Sequence, residues 1–379
     1  MKKVFASLLV CALLFLTIVS ANAADIGDVY RETATYLQNC PTPSVGAIGG
    51  EWLIIGFARS GLLSKETAEG YYAHVKEYVA EKGAAKLDRN KVTENARVIL
   101  ALTAIGKNPE DVCGFNLLSP LADFSFVKKQ GTNGPVWTLI ALDSLQYEIP
   151  EAPQGKEATT REKLINLILE RQSETGCWRI NDNSGDDPDM TGMALQALAP
   201  YYQSDNRVRQ AIQRTLDSLS SQQHDDGSFL SVSSVSPECC AQMIVALTSL
   251  GIHPQQDARF LKNNVSVVDC MLGFYDKDGF VHEKDGEINQ MSTEQAFYAM
   301  TAIRRFENSQ TALYDMSDLL MPYDVNLDGQ VDITDATLVQ KYIAELAPLT
   351  RRQLKIAKAD AEGKVYITFV TEIQHYIAS

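Results

Sequence analysis

Residues 194–199 read "ALQALA", a run of small and branched apolar side chains, and similar runs recur along the chain. They are "GFARSG" from Gly56, "ALTAIG" from Ala101, "ALDSLQ" from Ala141, "ALTSLG" from Ala246 and "AMTAIR" from Ala299. Successive starts are separated by 45, 40, 53, 52 and 53 residues. Six copies at such a period point to helical hairpins, in an open array or a closed ring, because one hairpin cannot bury its apolar face alone. Between the copies lie "TREKLINLILERQ" (160–172), "NRVRQAIQRTLDSL" (206–219) and "DARFLKNNVSVVDCML" (257–272), whose charges fall on one helical face. The spacing therefore predicts an inner layer of small-residue helices wrapped by an outer layer of amphipathic ones.

Three of the later copies are preceded by a glycine turn with an apolar residue: "ETGCWRI" (174–180), "DDGSFL" (225–230) and "KDGFVH" (277–282). Turns of this kind before a helix rich in Ala and Leu resemble the terpenoid cyclase and prenyltransferase superfamily of α/α toroids. The resemblance covers nearly all of residues 24–315 and implies an all-α chain whose larger part is an α6/α6 toroid. It does not imply an activity, since the same fold serves cobalamin carriers and thioester-containing complement domains.

Counting five residues back from Ala194 gives Asp189, and the equivalents are Glu51, Ala96, Val136, Ala241 and Glu294; one position later come Trp52, Arg97, Trp137, Met190, Gln242 and Gln295. If the inner helices run in one direction, these twelve positions ring one mouth of the barrel. Asp189, Glu294 and Glu51 are then candidate catalytic carboxylates, and Trp52, Trp137, Gln242 and Gln295 candidate ligand contacts. An acidic residue near a helix start is equally what capping and the macrodipole favour. In "DDPDMTGMALQAL" (186–198) Asp187, Asp189 and Thr191 match the Asp-rich motif of class II cyclases, but Met190 replaces the last Asp. Cyclisation by an Asp189 proton donor thus lacks its electrostatic partner. Cys239 and Cys240 have no suitable His close by in sequence for a prenyltransferase zinc set. Carboxylates such as Glu51, Asp189, Glu238 and Glu294 would suit a glycosidase, and His282 or a tyrosine a lyase. A corrin-like small molecule or a protein is the non-catalytic alternative ligand. His224 and His253, in turn-like stretches, are expected to face solvent.

The end of the chain is a second repeat. At an offset of 34, Ile333, Thr334, Thr337, Gln340, Tyr342, Ile343 and Ala344 meet Ile367, Thr368, Thr371, Gln374, Tyr376, Ile377 and Ala378. In the first copy, "YDVNLDGQVDITDATLVQKYIAEL" (323–346), Asp324, Asn326 and Asp328 alternate as hard oxygen donors, Gly329 permits a sharp turn, Gln330 offers a carbonyl and Asp335 closes the loop. This pattern resembles a type I dockerin, expected over residues 316–379. The resemblance implies a cohesin partner on a scaffold protein, met by Ile333, Thr334, Gln340, Lys341, Ile367, Thr368, Gln374 and His375. A stabilising calcium loop without a partner is the alternative. In the second copy Lys358 replaces the first ligand and Phe369 the last, leaving Asp360 and Glu362. One Ca2+ is therefore expected, in the first loop. The second copy should fold by packing Val365, Ile367, Phe369, Ile373 and Ile377 on the first.

Residues 1–23 pair two lysines with the apolar run "VFASLLVCALLFLTIV" and end in Ala-Asn-Ala, the order of a cleavable secretory leader. A lipoprotein anchor at Cys11 fits less well beside Val10. The expectation is an extracellular, scaffold-attached protein without a membrane span. Its 48 acidic against 34 basic residues, net −14, argue against nucleic acid as partner. The six cysteines beyond the leader follow no disulfide-framework or zinc spacing and suggest no chemistry by themselves.

Overall fold

A computed structural model describes residues 25–181, 183–229, 234–360 and 362–379 of the chain. The expected leader, residues 1–23, lies outside them. Fifteen α-helices are described: α1 (Ile26–Gln38), α2 (Glu51–Ser60), α3 (Lys65–Lys82), α4 (Val92–Ala104), α5 (Phe124–Val127), α6 (Asn133–Asp143), α7 (Arg161–Glu170), α8 (Pro188–Leu198), α9 (Asn206–Gln222), α10 (Pro237–Ser249), α11 (Val267–Leu272), α12 (Gln290–Glu307), α13 (Ile333–Ile343), α14 (Arg351–Ile356) and α15 (Ile367–Ala378). Among the described residues the only strands are a short hairpin, β1 (Tyr275–Asp276) and β2 (Gly279–Phe280).

Each repeated apolar run lies in, or runs off the end of, an even-numbered helix from α2 to α12. These six pack in succession, α2 on α4, α4 on α6, α6 on α8, α8 on α10 and α10 on α12, and α12 returns to α2. The ring is closed, so the chain is an α/α toroid. Small residues allow the inner helices to approach: a Cβ on Gly192 of α8 would stand 3.0 Å from the Gln242 backbone of α10. The outer layer is less regular. Helices α1, α7, α9 and α11 pack on α12, α6, α8 and α10 respectively, while α5 is a single turn.

The glycine turns carry their ring residues into the core, where Trp178, Phe229 and Phe280 are all buried. Two of them are tied by a glutamine at the end of the preceding outer helix. Gln172 Nε2 donates to the Gly176 and Ala211 carbonyls, and Gln223 Nε2 donates to those of Gly227 and Phe260. Gly227 has φ +78°, and a Cβ there would fall 2.1 Å from the Ser266 carbonyl. The β1–β2 hairpin serves the third turn, with Phe280 N–H donating to Thr293 Oγ1 of α12. The outer helix expected over 257–272 is interrupted. Asn263 and Asn264 both adopt left-handed backbone, and helix resumes only at α11, capped by Ser266. Short Asn side chains tolerate that conformation and stop the helix there.

The opposite end of the ring is closed by residues 311–318. Leu313, Tyr314 and Met316 are buried, and Met316 N–H donates to the Ser144 carbonyl at 2.7 Å. Arg59 bonds the Leu313 and Asp315 carbonyls, Arg305 bonds the Thr311 carbonyl, and both guanidiniums meet Asp318.

Helices α13 to α15 build on a separate hydrophobic cluster, Val325, Ala336, Val339, Leu349, Ile356, Ala357, Val365, Phe369, Val370 and Ile373. Val365, Phe369 and Ile373 pack inward as expected, but Ile367 and Ile377 do not; they are 58% and 43% exposed. On a helix beginning at Ile367, positions 369, 370 and 373 share one face and 367 lies off it, whereas 377 is on that face but one turn beyond Ile373, at the end of α15. Helix α14 touches the toroid. Arg351 N–H donates to Glu148, and the Arg352 guanidinium lies 4.7 Å from the Tyr147 ring centre and bonds the Leu145 carbonyl.

Candidate functional sites

The three candidate carboxylates of the ring occupy different environments. Glu51, at the start of α2, is fully buried and saturated with donors: the Gly46 N–H, the Tyr71 hydroxyl and Arg97 Nε at 2.6 Å. Burial pushes its carboxyl above the usual carboxylate range, against the opposing pull of Arg97. Its geometry is that of a structural ion pair. Glu294 accepts the Gly49 N–H at 2.8 Å and the Gln290 amide at 3.0 Å through Oε1, while its buried Oε2 has no partner among the described residues. Burial pushes its pKa up to about 7. Glu51 and Glu294 thus hold the two ends of the loop "GAIGG" (46–50) that leads into α2. That loop needs its glycine at 50, where a Cβ would fall 2.1 Å from the Gly46 carbonyl.

Asp189 differs from both. It is only half-buried, Oδ1 has no partner among the described residues, and burial, with Asp187 next, pushes its pKa up to about 6. Around it stand the Cys239 thiol, Glu238 in the first turn of α10, and His282 in the loop between β2 and α12. Glu238 accepts from Ser292 Oγ at 2.5 Å and lies 3.1 Å from His282 Nδ1. Asp187 is spoken for as the α8 N-cap, accepting the Met190 N–H. A half-buried carboxyl with its pKa raised to about 6, close to a second carboxyl anchored by Ser and His, can exchange protons with a bound molecule. Glu238 and His282 therefore join Asp189, whereas Glu51 and Glu294 stand apart as loop anchors. The positional count missed Glu238 because it begins α10 three residues before the aligned Ala241.

The proposed ligand contacts meet in the ring's interior. Trp52 and Trp137 lie 5.0 Å apart between ring centres, Tyr298 is 6.1 Å from Trp52, and Tyr314 meets Trp137 edge-on. Gln242 Nε2 donates to the Tyr298 hydroxyl at 2.6 Å and to Gln295 Oε1 at 3.1 Å. These side chains satisfy one another, so they fill the barrel centre. Trp52 alone of the aromatic set is half-buried. A pocket of about 250 Å³ opens beside the α8 start instead, lined by Asp186, Asp187, Thr191, His224 and Phe229 among others. His224 is exposed as expected, but His253 is half-buried, edge-on to Phe306.

In the C-terminal loop, Asp324 accepts the Asp328 and Gly329 N–H groups, and Asp335 accepts those of Asn326 and Asp332. Asp328 Oδ1 accepts the Gln330 N–H. Asp332, unremarked in the sequence, caps α13 through the Thr334 N–H and hydroxyl. In the second loop Asp360 accepts the N–H groups of Glu362 and Lys364 and the Tyr366 hydroxyl. Lys358 does not enter that loop; it pairs with Glu372 at 2.7 Å and lies over Tyr323 and Phe369.

The family comparison falls on this segment. Residues 322–365 match the dockerin type I domain. A dockerin implies a cohesin as partner and a cellulosome-type setting, and dockerin loops are in general calcium sites. The dockerin loop here has the donor chemistry for that ion: the side chains of Asp324, Asn326, Asp328 and Asp335 and the carbonyl of Gln330. Among the described residues no three His, Cys, Asp or Glu side chains converge as a preformed metal set. Yet Asp324 and Asp335 are buried, at 4% and 0% exposure, and neither forms an ion pair among the described residues. Buried carboxylates without a counter-charge fit a bound cation. The eight dockerin residues expected to face a cohesin, Ile333, Thr334, Gln340, Lys341, Ile367, Thr368, Gln374 and His375, are all exposed.

For the larger part, solved structures give a likeness of fold. Protein geranylgeranyltransferase-I from Candida albicans is 11% identical with a TM-score of 0.50, over 76% of this chain and 93% of that one. A type II terpene cyclase from Scytonema is 10% identical with a TM-score of 0.48, over 74% and 99%. A polysaccharide lyase is 13% identical with a TM-score of 0.41, over 75% and 98%. At such identities the first likeness supports the toroid fold and nothing finer. No curated protein sequence matches the chain. No helix among the described residues is long and apolar enough to cross a membrane.

Proposed function

We propose that the chain is a secreted subunit of a cellulosome-type complex, with a leader at 1–23, an α/α toroid at 24–315 and a dockerin at 316–379. The dockerin holds one Ca2+ in its first loop through Asp324, Asn326, Asp328, Gln330 and Asp335, and docks on a cohesin. One observation carries the reading: of the thirteen exposed large hydrophobic residues among the described ones, ten lie between Leu319 and Ile377. That concentration on so small a module marks an interaction surface. Ile333 and Ile367, equivalent in the two repeats, are each 58% exposed.

The toroid's contribution is polysaccharide binding or breakdown at the helix starts of α8, α10 and α12, with Asp189 as acid and Glu238 as its neighbouring carboxyl. The alternative, a toroid that binds a small molecule or protein without catalysis, draws support from the filled barrel centre and from the structural engagement of Glu51 and Glu294.

The test is calorimetry of the whole protein against type I cohesins, with calcium and with a chelator, and with Asp324→Ala as control. Calcium-dependent binding that Asp324→Ala abolishes supports recruitment. Calcium uptake with no affinity for any cohesin overturns it and leaves the loop a stabilising element.

A further inference from the structure

Cys239 and Cys240 are neighbours in sequence and strangers in space. Successive positions on a helix point about 100° apart, so Cys239 faces the Phe229 carbonyl, at 3.8 Å, and Asp189, whereas Cys240 faces outward from the inner ring to α11. There its thiol lies 3.6 Å from the sulfur of Cys270, 30 residues further along the chain. Cys240 is fully buried and Cys270 half-buried. We propose that Cys240 and Cys270 are a disulfide-forming pair that staples the short outer helix α11 to the inner helix α10 under oxidising conditions.

Sequence spacing assigned no partner to any cysteine; the packing of α10 against α11 does. The sulfurs must close from 3.6 Å to the about 2.05 Å of a disulfide bond, a shift within the reach of side-chain rotation. The two thiols already share a hydrogen bond, with Cys240 donating, which holds the Cys270 thiol below the ordinary cysteine range. Cys270 is also the less buried of the two residues. A low-molecular-weight disulfide is therefore attacked by the Cys270 thiolate, giving a mixed disulfide and one released thiolate. Cys240 then attacks the Cys270 sulfur, its proton passing to solvent, and the second small thiolate leaves. In sum two protein thiols lose two protons and two electrons, and one small disulfide becomes two thiols.

The gain is local. Helix α11 spans only six residues and follows a stretch broken at Asn263 and Asn264, so its N-cap and its packing on α10 are what hold it. Closing a loop of this length narrows the unfolded ensemble and raises the melting temperature of the toroid.

The test treats the folded protein with oxidised glutathione, unfolds it in iodoacetamide, and maps the peptides by mass spectrometry. The expected product is a peptide pair linked through Cys240 and Cys270, lighter by two hydrogens than the reduced pair, with Cys239 alkylated. Cys270→Ser should leave Cys240 alkylated, and reduction of the wild type should lower its melting temperature by several degrees while leaving that of Cys270→Ser unchanged. Recovery of Cys240 and Cys270 both alkylated, while exposed Cys113 shows that the reagent reacted by carrying glutathione, would overturn the proposal. A linkage of Cys240 to any other cysteine would do the same.

Discussion

Glu294→Gln removes a charge and keeps the shape, and its effect can be worked from the surroundings of the carboxyl. Oε1 accepts from Gly49 and Gln290, Oε2 is buried without a partner, and the folded pKa is about 7 against an ordinary value of 4.5. A carboxyl whose folded pKa is raised gives its full stability below the unfolded value. That stability is lost as pH rises through the folded one, because between them the folded chain holds a proton that the unfolded chain releases. At about 1.36 kcal/mol per unit, the shift amounts to roughly 3 kcal/mol lost between pH ~4.5 and ~7.5. The glutamine does not titrate, so it should cancel that slope, whatever it costs at a single pH by leaving an amide N–H unpaired. The assay is urea unfolding at pH 5 and pH 8, at fixed calcium, followed by tryptophan fluorescence. Trp52, Trp137 and Trp178 are the chain's three tryptophans and all lie in the toroid, so the signal reports that unit alone. The expected result is that Glu294→Gln becomes about 2 kcal/mol more favourable, relative to wild type, on going from pH 5 to pH 8. An unchanged difference between the two pH values would refute the reasoning, since the carboxyl would then be titrating normally.

Asp189→Asn should flatten stability in the same sense between pH ~4 and ~6, by on the order of 1–3 kcal/mol, and abolish any acid-catalysed turnover without weakening ligand binding. Asp324→Ala should remove the calcium-induced rise in melting temperature of the dockerin, read by calorimetry, leaving the toroid transition in place. Ile333→Asp with Ile367→Asp should weaken cohesin binding by at least about tenfold while circular dichroism stays unchanged, both side chains being exposed. Trp178→Ala should cost about 3–5 kcal/mol in urea unfolding, because the ring is fully buried and its indole N–H is bonded to the Ile168 carbonyl.

What the sequence by itself determined is what repeats make legible. Six apolar runs at a near-constant interval specify six equivalent inner helices, because each hairpin must bury its face on the next. The 34-residue duplication with alternating Asp and Asn specifies the C-terminal loop, because its donors are consecutive in the chain. A further signal was present and unused: Gln172 and Gln223 stand four residues before Gly176 and Gly227, and that spacing encodes the side-chain ties between outer helix and turn.

Only the tertiary structure decided which carboxylates are free. Glu51 and Glu294 share an aligned position with Asp189, yet Gly49, Tyr71 and Arg97 engage them from other segments, and no spacing announces those partners. Glu238 and His282 come near Asp189 because the starts of α8 and α10 and the loop before α12 converge, and Cys240 reaches Cys270 because α11 packs on α10. Helical periodicity fixes the face on which a side chain lies; what it meets there is set by the closure of the ring.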